Sequence, residues 1–496
     1  MAISSLASTD RKWLIRNNGK YEQEFGENLG MEAIVDLLGK VDNMIWGVPL
    51  VALLFGTGLY LTIGMRFMSI RRLPYAIGLL FGKNKENADK DSGEISPVAA
   101  LFTALSATIG TGNIAGVATA IMLGGPGAVF WMWMTAVLGM ATKYSEALLA
   151  VRFRETDEKG QHVGGPMYYI KNGMGKNWIW LAWLFAICTA IAAPGTGNLV
   201  QANGVAALFK QNLDIPLWIS GLTMAVLVAF VIMGGVKSIA RVASFLVPIM
   251  ALFYIGGAII VLAMNLEFVP GAFGQIFSGV VSPTAAAGGF LGASVMAAMA
   301  QGANRGSFSN EAGLGSAAIA HASARTNDPV RQGSIAMLGT FIDTLIVCTL
   351  TALVILTAPA ILAASGVELP VWQSGIASAA GITSRAFEES IPGGQWIVTI
   401  GLAVFAFTTI LGWALYGERA MEFMMGIKVI PYYRVFWVIV VYLGAVYTND
   451  LAWTLASIGN GMMAGPNLIA LLGLSGVVFA MTREDAEKRK TLKLKD

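Results

Sequence analysis

Two stretches of this 496-residue chain place polar residues and clustered glycine inside long apolar runs. The first reads Ser106-Ala107-Thr108-Ile109-Gly110-Thr111-Gly112-Asn113-Ile114-Ala115-Gly116. The second reads Gly302-Ala303-Asn304-Arg305-Gly306-Ser307-Phe308-Ser309-Asn310-Glu311-Ala312-Gly313. Clustered glycine weakens a helix, and Asn and Ser can satisfy a freed backbone locally. An unwound Gly110-Thr111-Gly112 segment presents backbone N–H groups beside a helix N-terminus. That is a carboxylate site, because the donors and the helix dipole both favour an anion. Asn113 reads equally as a contributor to that site and as a cap of the restarted helix. Arg305 and Glu311 are charges inside an apolar run. They read either as a gate or coupling pair or as mutual neutralisation at a helix break, and Asp343 is open in the same way. Adjacent Thr408 and Thr409 could offer hydroxyls to a cation or bond back to the preceding turn. Trp413 lies one turn beyond Thr409 on the same helix face, where it either narrows a pocket or packs. Gln201 is a polar side chain in an apolar run, which is costly and often marks a pathway. Lys143 and Glu146 read as an interfacial pair.

Other chemistries lack their residues. No Walker A segment is present, so ATP is not the evident energy source. His162 and His321 carry no metal-ligand spacing. Cys188 and Cys348 sit in apolar runs and read as packing residues. No paired carboxylate or nucleophile–base constellation lies in the apolar runs, which argues against an enzyme. Ring-like filter sequences are missing, which places an ion channel behind a carrier. No long basic stripe or aromatic-basic platform appears, which argues against nucleic acid as a partner.

The elements that must hold these residues are membrane helices. Hydrophobic residues make up 55% of the chain and charged residues 13%, about half the charge of a soluble protein, which carries roughly 25%. The 58 glycines suit membrane helices, where small residues let backbones approach. Apolar stretches long enough to span about 30 Å of hydrocarbon recur at 44–65, 98–122, 126–151, 178–208, 215–235, 241–264, 286–321, 332–360, 393–425, 433–449 and 452–481. The expected fold class is therefore all-α and polytopic, with about eleven transmembrane helices and the lipid bilayer as solvent. Residues 1–42 do not have the pattern of a signal peptide.

Lysine and arginine concentrate in alternate loops: after the first span (Arg66, Arg71, Arg72), after the third (Arg152, Arg154, Lys159), and on to the tail (Arg483, Lys488, Arg489). The positive-inside rule then places the C-terminus in the cytoplasm and the N-terminus outside. The N-terminal tail runs mildly against this with Arg11, Lys12, Arg16 and Lys20. The two polar stretches fall five spans apart. An odd offset inverts one relative to the other, which is the layout of a transporter with inverted repeats and a midplane site.

The run Gly124-Gly125-Pro126-Gly127-Ala128-Val129-Phe130-Trp131-Met132-Trp133-Met134, following Gly110-Thr111-Gly112-Asn113-Ile114, together with Asn310-Glu311-Ala312-Gly313-Leu314-Gly315, closely resembles the alanine-or-glycine:cation symporter family. The resemblance runs from about the first span to the last. It implies a LeuT-type fold, ten core helices in a 5+5 inverted repeat preceded by one extra helix. The expected division is an outside tail at 1–43, the extra helix and cytoplasmic loop at 44–97, and the first repeat at 98–264. An external loop at 265–285, the second repeat at 286–481 and a basic cytoplasmic tail at 482–496 complete it. The resemblance also implies plasma-membrane uptake of alanine or glycine with co-transported sodium, with the proton as the alternative cation and Glu311 as its titrating group, and no organic cofactor. By that resemblance the carbonyls of Ser106 and Ile109 face a carbonyl at Phe405 and the Thr408 and Thr409 hydroxyls around sodium. Gln201 then touches substrate, Phe308 walls the pocket, carbonyls near Gly302 and Ala303 receive the ammonium, and Trp413 limits side-chain size.

Overall fold

The computed structural model describes residues 36–81, 93–281, 291–364, 379–447 and 450–493. Apolar side chains in helical runs need internal backbone bonding in hydrocarbon, and the described chain is accordingly almost all helix. In order come α1 (Asp36–Gly64), α2a (Pro97–Thr108) and α2b (Gly112–Gly124), α3 (Gly127–Arg152) and α4 (Lys176–Leu213). Then follow α5 (Leu217–Ile232), α6 (Gly235–Met264), α7a (Leu291–Asn310), α7b (Ser316–Ala322) and α8 (Pro329–Ala358). The last are α9 (Gln395–Met425), α10 (Ile430–Val446) and α11 (Asp450–Gly473). Among the described residues, seven helices are long and apolar enough to cross a membrane, or eight if the bent pair α2a–α2b, which turns by 54°, is one span. The chain is thus a polytopic helical membrane protein. The segments α3 and α7 fall short of the hydropathy needed because Lys143 and Glu146, and Asn304 to Asn310, lie inside them. These helices face protein rather than lipid. Almost the whole inner two thirds of α3 is buried.

Lipid-facing side chains cluster on the outer helices. Leu222, Phe230, Phe245, Leu252, Ile260, Tyr432 and Ile439 of α5, α6 and α10 are exposed and apolar. In the interior, α3 packs on α7a and α8, and α9 packs on α2a, α4 and α6. Small residues set these approaches. A Cβ at Gly412 of α9 would lie 2.8 Å from the Ala107 backbone nitrogen of α2a, and one at Gly302 would lie 2.5 Å from the Ala128 carbonyl oxygen of α3.

Several boundaries differ from the sequence expectation. The chain is already helical at Asp36, ahead of the expected tail boundary, and residues 1–35 lie outside the described residues. The expected loops at 265–285 and 361–392 contain the helices Val269–Val281 and Ala379–Ser390. The last expected span divides at Leu474, and the residues beyond form a helix, Ser475–Lys493. That helix is fastened to the bundle, with Thr482 and Tyr144 hydroxyls 2.9 Å apart and Asp485 2.6 Å from Arg72. The sequence reads it as a basic cytoplasmic tail, whereas its Asp485 and Arg489 are engaged by Arg72 and Tyr75 of the bundle.

At one end of the bundle two distant segments are joined by a latch. Ile95, just before α2a, forms a parallel bridge with Ala324, just after α7b. The Arg325 N–H donates to the Ile95 carbonyl at 2.7 Å. A hairpin of β1 (Glu155–Thr156) and β2 (His162–Val163) leans on the bridge. From it, the His162 backbone N–H donates to Glu94 Oε1 at 2.8 Å, and His162 Nδ1 lies 3.0 Å from the same oxygen. Arg154 donates to the carbonyls of Ala322, Ala324 and Thr326 at 2.9, 2.8 and 2.7 Å.

Candidate functional site

The first break begins where α2a ends at Thr108 and Ile109 turns extended (φ −76°, ψ 99°). Proline at the helix start and the Ser96 hydroxyl, which accepts from the Ala99 N–H at 3.1 Å, fix its other end. Asn113, inside the restarted helix, reaches back into the break, where the Gly110 N–H donates to its Oδ1 at 2.9 Å. Its amide nitrogen reaches across to Asp343 Oδ1 at 2.7 Å. The Thr111 N–H donates to Gln201 Oε1 at 3.0 Å, and Gln201 Nε2 donates to the Thr196 carbonyl at 3.0 Å. An amide oxygen of α4 therefore stands at the helix N-terminus, where an anionic oxygen would be stabilised. Gly110 is required there, because a Cβ would come within 2.5 Å of Thr409 Oγ1.

The second break lies further along the chain than its sequence suggests. α7a continues through Asn310, and the irregular backbone is Glu311 to Gly315, with positive φ at Glu311 (56°), Gly313 (88°) and Gly315 (80°). Gly302 and Ala303 are therefore inside a helix, two turns before the break. Their carbonyls belong to its ladder rather than to a pocket, and Gly302 packs on α3. The carbonyls released are those of Phe308 and Ser309. The N–H groups that would close on them are engaged elsewhere: Ala312 N–H donates to Asn310 Oδ1 at 2.9 Å, and Gly313 N–H to Glu146 Oε1 at 3.0 Å. Glycine and asparagine clustering marked the right helix, but its first nine residues, Gly302 to Asn310, remain helical, with Gly302 and Gly306 packed tightly on α3.

Helix α3 holds both ends of this break. Lys143 Nζ donates to the Asn310 carbonyl at 2.8 Å, at the negative end of α7a. Glu146 Oε1 accepts from Gly313 and Gly315 N–H, at 3.0 and 3.2 Å, at the positive end of α7b. Asn467 of α11 donates to the same oxygen at 2.7 Å, and its own Oδ1 accepts from Tyr169. Lys143 is 1% exposed and Glu146 0%. They are thus buried break clamps, not the interfacial pair that their spacing suggested. Glu311 does not meet Arg305. Its Oε2 accepts from the Ser316 hydroxyl at 2.6 Å, whereas the Arg305 guanidinium lies 5.9 Å over the Trp453 ring. Mutual neutralisation of these two charges is excluded.

Asp343 joins the two breaks. Besides Asn113, its carboxylate accepts from the Ser309 and Thr344 hydroxyls, both at 2.7 Å. The breaks also touch directly: a Cβ at Gly112 would meet Ser309 Cα at 3.2 Å and Phe308 at 3.3 Å. Phe308 stacks on Trp453, with centroids 5.8 Å apart.

The oxygens expected around a cation converge in part. Thr409 Oγ1 lies 3.1 Å from the Ile109 carbonyl and 3.0 Å from the Phe405 carbonyl. Thr408 Oγ1 is 2.9 Å from the Phe405 carbonyl and 3.5 Å from Met250 Sδ. The Ser106 hydroxyl bonds back to the Thr103 carbonyl at 2.7 Å. Two carbonyls and one hydroxyl thus meet between α2 and α9, and hard neutral oxygens of this kind suit a monovalent cation. Trp413, 1% exposed, packs on Gly197 of α4, where a Cβ would lie 2.0 Å from its own Cβ. It sits one turn along from the Thr409–Gly110–Gln201 contact rather than inside it. Sequence reasoning missed the roles of Asn467, Trp453 and the Glu94–His162 pair. Asparagine next to proline inside an apolar run was the available signal for Asn467.

The sodium:alanine symporter family profile matches residues 31–496. The chain is 46% identical over 458 residues to the sodium/alanine symporter AgcS of Methanococcus maripaludis, covering 92% of this chain and 98% of that one. It is 36% identical to a putative sodium/proton-dependent alanine carrier of Bacillus subtilis, covering 92% and 93% of the two chains. The fold is similar to that of MhsT, solved with L-phenylalanine, at a TM-score of 0.54 and 12% identity over 79% of this chain and 99% of that one.

Proposed function

Because the chain belongs to the sodium:alanine symporter family, we propose that it imports alanine or glycine with sodium across the plasma membrane by alternating access. It is a cation-coupled amino-acid transporter, not an enzyme. The observation that carries the substrate reading is the meeting of the two breaks. A helix N-terminus at Gly110–Gly112 already receives an amide oxygen from Gln201, and Phe308 and Ser309, the residues whose carbonyls are released, lie against Gly112 through the Phe308 ring and Ser309 Cα and Cβ. A substrate carboxylate takes the place of the Gln201 oxygen, and the ammonium takes the carbonyls. The tight contact of Gly112 with α7a leaves room for a small side chain only.

Sodium takes the Ile109 and Phe405 carbonyls with Thr409, completed by Thr408 and the Ser106 carbonyl. Its inward movement supplies about 2.3 kcal/mol per 100 mV, more than a tenfold accumulation. We read eleven spans, α1 to α11, in two inverted repeats after α1, with the C-terminus cytoplasmic. The latch at Ile95–Ala324 is then the closed cytoplasmic gate.

Proton coupling is the second reading. It is favoured by Glu311, which is 0% exposed and whose Oε1 has no hydrogen-bond partner. The test is uptake of labelled alanine and glycine into proteoliposomes under an imposed sodium gradient, with and without a pH gradient. Accumulation that persists in choline at fixed pH would overturn the sodium reading, and no saturable counterflow would overturn carriage altogether.

A further inference from the structure

At the end of α1 the chain turns sharply, and Arg66 and Phe67 both take positive φ, 54° and 58°. Two consecutive non-glycine residues in that region are uncommon. The turn leads into the short helix Met68–Arg71 and brings Arg66, Arg71 and Arg72 to one wall of a cavity of about 280 Å³. The opposite wall is the helix Ser475–Lys493, which contributes Phe479, Arg483 and Lys490. Gly64 packs so closely on the Phe479 ring that a Cβ would not fit between them. Met65 and Met68 add an apolar lining.

Among the described residues, five cationic side chains line this space and no carboxylate does. Arg72 is engaged by Asp485 at 2.6 Å, and the same carboxylate takes Arg489 at 2.8 Å. Arg66, Arg71, Arg483 and Lys490 are exposed, with no acidic partner among the described residues. Like charges gathered in one recess repel, and an anion between them relieves the repulsion. Guanidinium groups match the oxygens of a phosphate with paired N–H donors. The surroundings say where that phosphate comes from. Leu59, Tyr60 and Ile63 on the approach, and Phe67 and Ile70 beyond it, are exposed and apolar. The cavity therefore opens where lipid-facing side chains give way to charge, at the level of the headgroups.

We propose that this cavity binds the phosphate headgroup of an anionic membrane lipid, one per chain, and that the bound phosphate ties the end of α1 to the helix Ser475–Lys493. Arg66 and Arg71 hold the phosphate from one wall, and Arg483 and Lys490 from the other. The acyl chains lie along Ile63 and Phe67. No residue assigned to sodium or to the amino acid takes part. The proposal needs only that the chain spans a membrane, and it does not depend on what the chain carries.

The test uses purified full-length protein in neutral detergent, stripped of lipid, with retained lipid counted by native mass spectrometry. Phosphatidylglycerol and phosphatidylcholine are titrated separately. We expect one phosphatidylglycerol per chain, held at least tenfold more tightly than phosphatidylcholine. Arg71→Gln and Arg483→Gln, one from each wall, should each weaken retention about fivefold. Lys488→Gln removes the same charge from the same helix outside the cavity, where Lys488 pairs with Glu484, and should leave retention unchanged. Amide hydrogen exchange in the helix Ser475–Lys493 should slow when phosphatidylglycerol is added. Equal retention of the two lipids, or wild-type retention by both cavity variants, would overturn the proposal. So would an equal loss in Lys488→Gln, which would mean diffuse surface charge. Displacement of the lipid by excess inorganic phosphate would make this a site for a soluble anion and overturn the lipid, and unchanged hydrogen exchange would overturn the tie between α1 and the helix.

Discussion

The Thr409 hydroxyl lies within hydrogen-bond distance of a carbonyl from each of two helices, the oxygens proposed above to hold sodium. Thr409→Ala removes a ligand and leaves both carbonyls facing each other. The expected loss is about 1.4 kcal/mol or more, which is roughly tenfold or more in half-saturating sodium. Solute binding at saturating sodium should change much less. Uptake measured against sodium concentration checks this, and an unchanged half-saturation point would move the cation elsewhere. Gly110→Val places branched carbon where Thr409 Oγ1 and Gln201 Oε1 already crowd a Cβ, at 2.5 and 2.9 Å. Transport should be lost while the protein still reaches the membrane, as surface labelling would show. Trp413→Leu tests size selection. The ring packs on Gly197, one turn from Gln201, so shrinking it loosens α4 beside the substrate. Serine or 2-aminobutyrate should then compete better against labelled alanine, with about 0.8 kcal/mol available per buried methylene. The same rank order as wild type would make Trp413 a packing residue only.

At the level of elements, the second break depends on α3. A lysine at the carboxyl end of α7a and a glutamate at the amino end of α7b each oppose a helix dipole, in a setting without water to screen them. Glu146→Gln keeps the shape but lowers the charge facing two N–H groups. Because it strips charge from a buried network, it should cost several kcal/mol of stability. Thermal unfolding in nanodiscs should show a lower midpoint, and alanine should restore less of it than in wild type. A midpoint equal to that of wild type would mean that the break does not need the charge. At the break of α2 no charged group bonds the backbone N–H groups directly; Asn113 and Gln201 side chains close it, and the Asp343 carboxylate reaches it only through Asn113. Both breaks carry glycine, but α7 leaves its helix at Glu311, a residue that adopts positive φ at a cost, before it reaches Gly313 and Gly315.

At the scale of the molecule, the Ile95–Ala324 bridge, the gate of the transport reading, stands at one end and a cavity at the other. The bridge is held by Glu94, which takes two hydrogen bonds from His162. Glu94→Ala removes both, about 2 kcal/mol at about 1 kcal/mol each, and should shift the gate equilibrium toward the open form by roughly thirtyfold. The readout is a cysteine placed at Met299 in the outer cavity. Its labelling from outside should slow in the Glu94→Ala background, as the outer cavity closes when the latch opens. The native thiols give little background, because Cys188 and Cys348 are both buried. Labelling at the wild-type rate would mean that the two ends are not coupled.

Much of this was legible in the chain itself. Apolar length and low charge determine a helical membrane protein, because hydrocarbon leaves the backbone no other partner. Glycine with polar residues in mid-span marked α2 and α7 as the irregular helices, because no lipid-facing helix tolerates that composition. The residues Gly110, Asn113, Gln201 and Thr409 were selected from sequence, and they do meet. What the sequence left open was register and partnership. Whether Gly302 or Glu311 ends a helix depends on the fit of Gly302 and Gly306 against α3, a contact between segments over 150 residues apart. Lys143 and Glu146 look like any i,i+3 surface pair until α7 is laid across them. Arg305 and Glu311 share one short stretch, yet they serve opposite sides of the break. Partners distant in sequence are fixed by three-dimensional packing alone, because a buried charge takes whichever neighbour the fold brings to it.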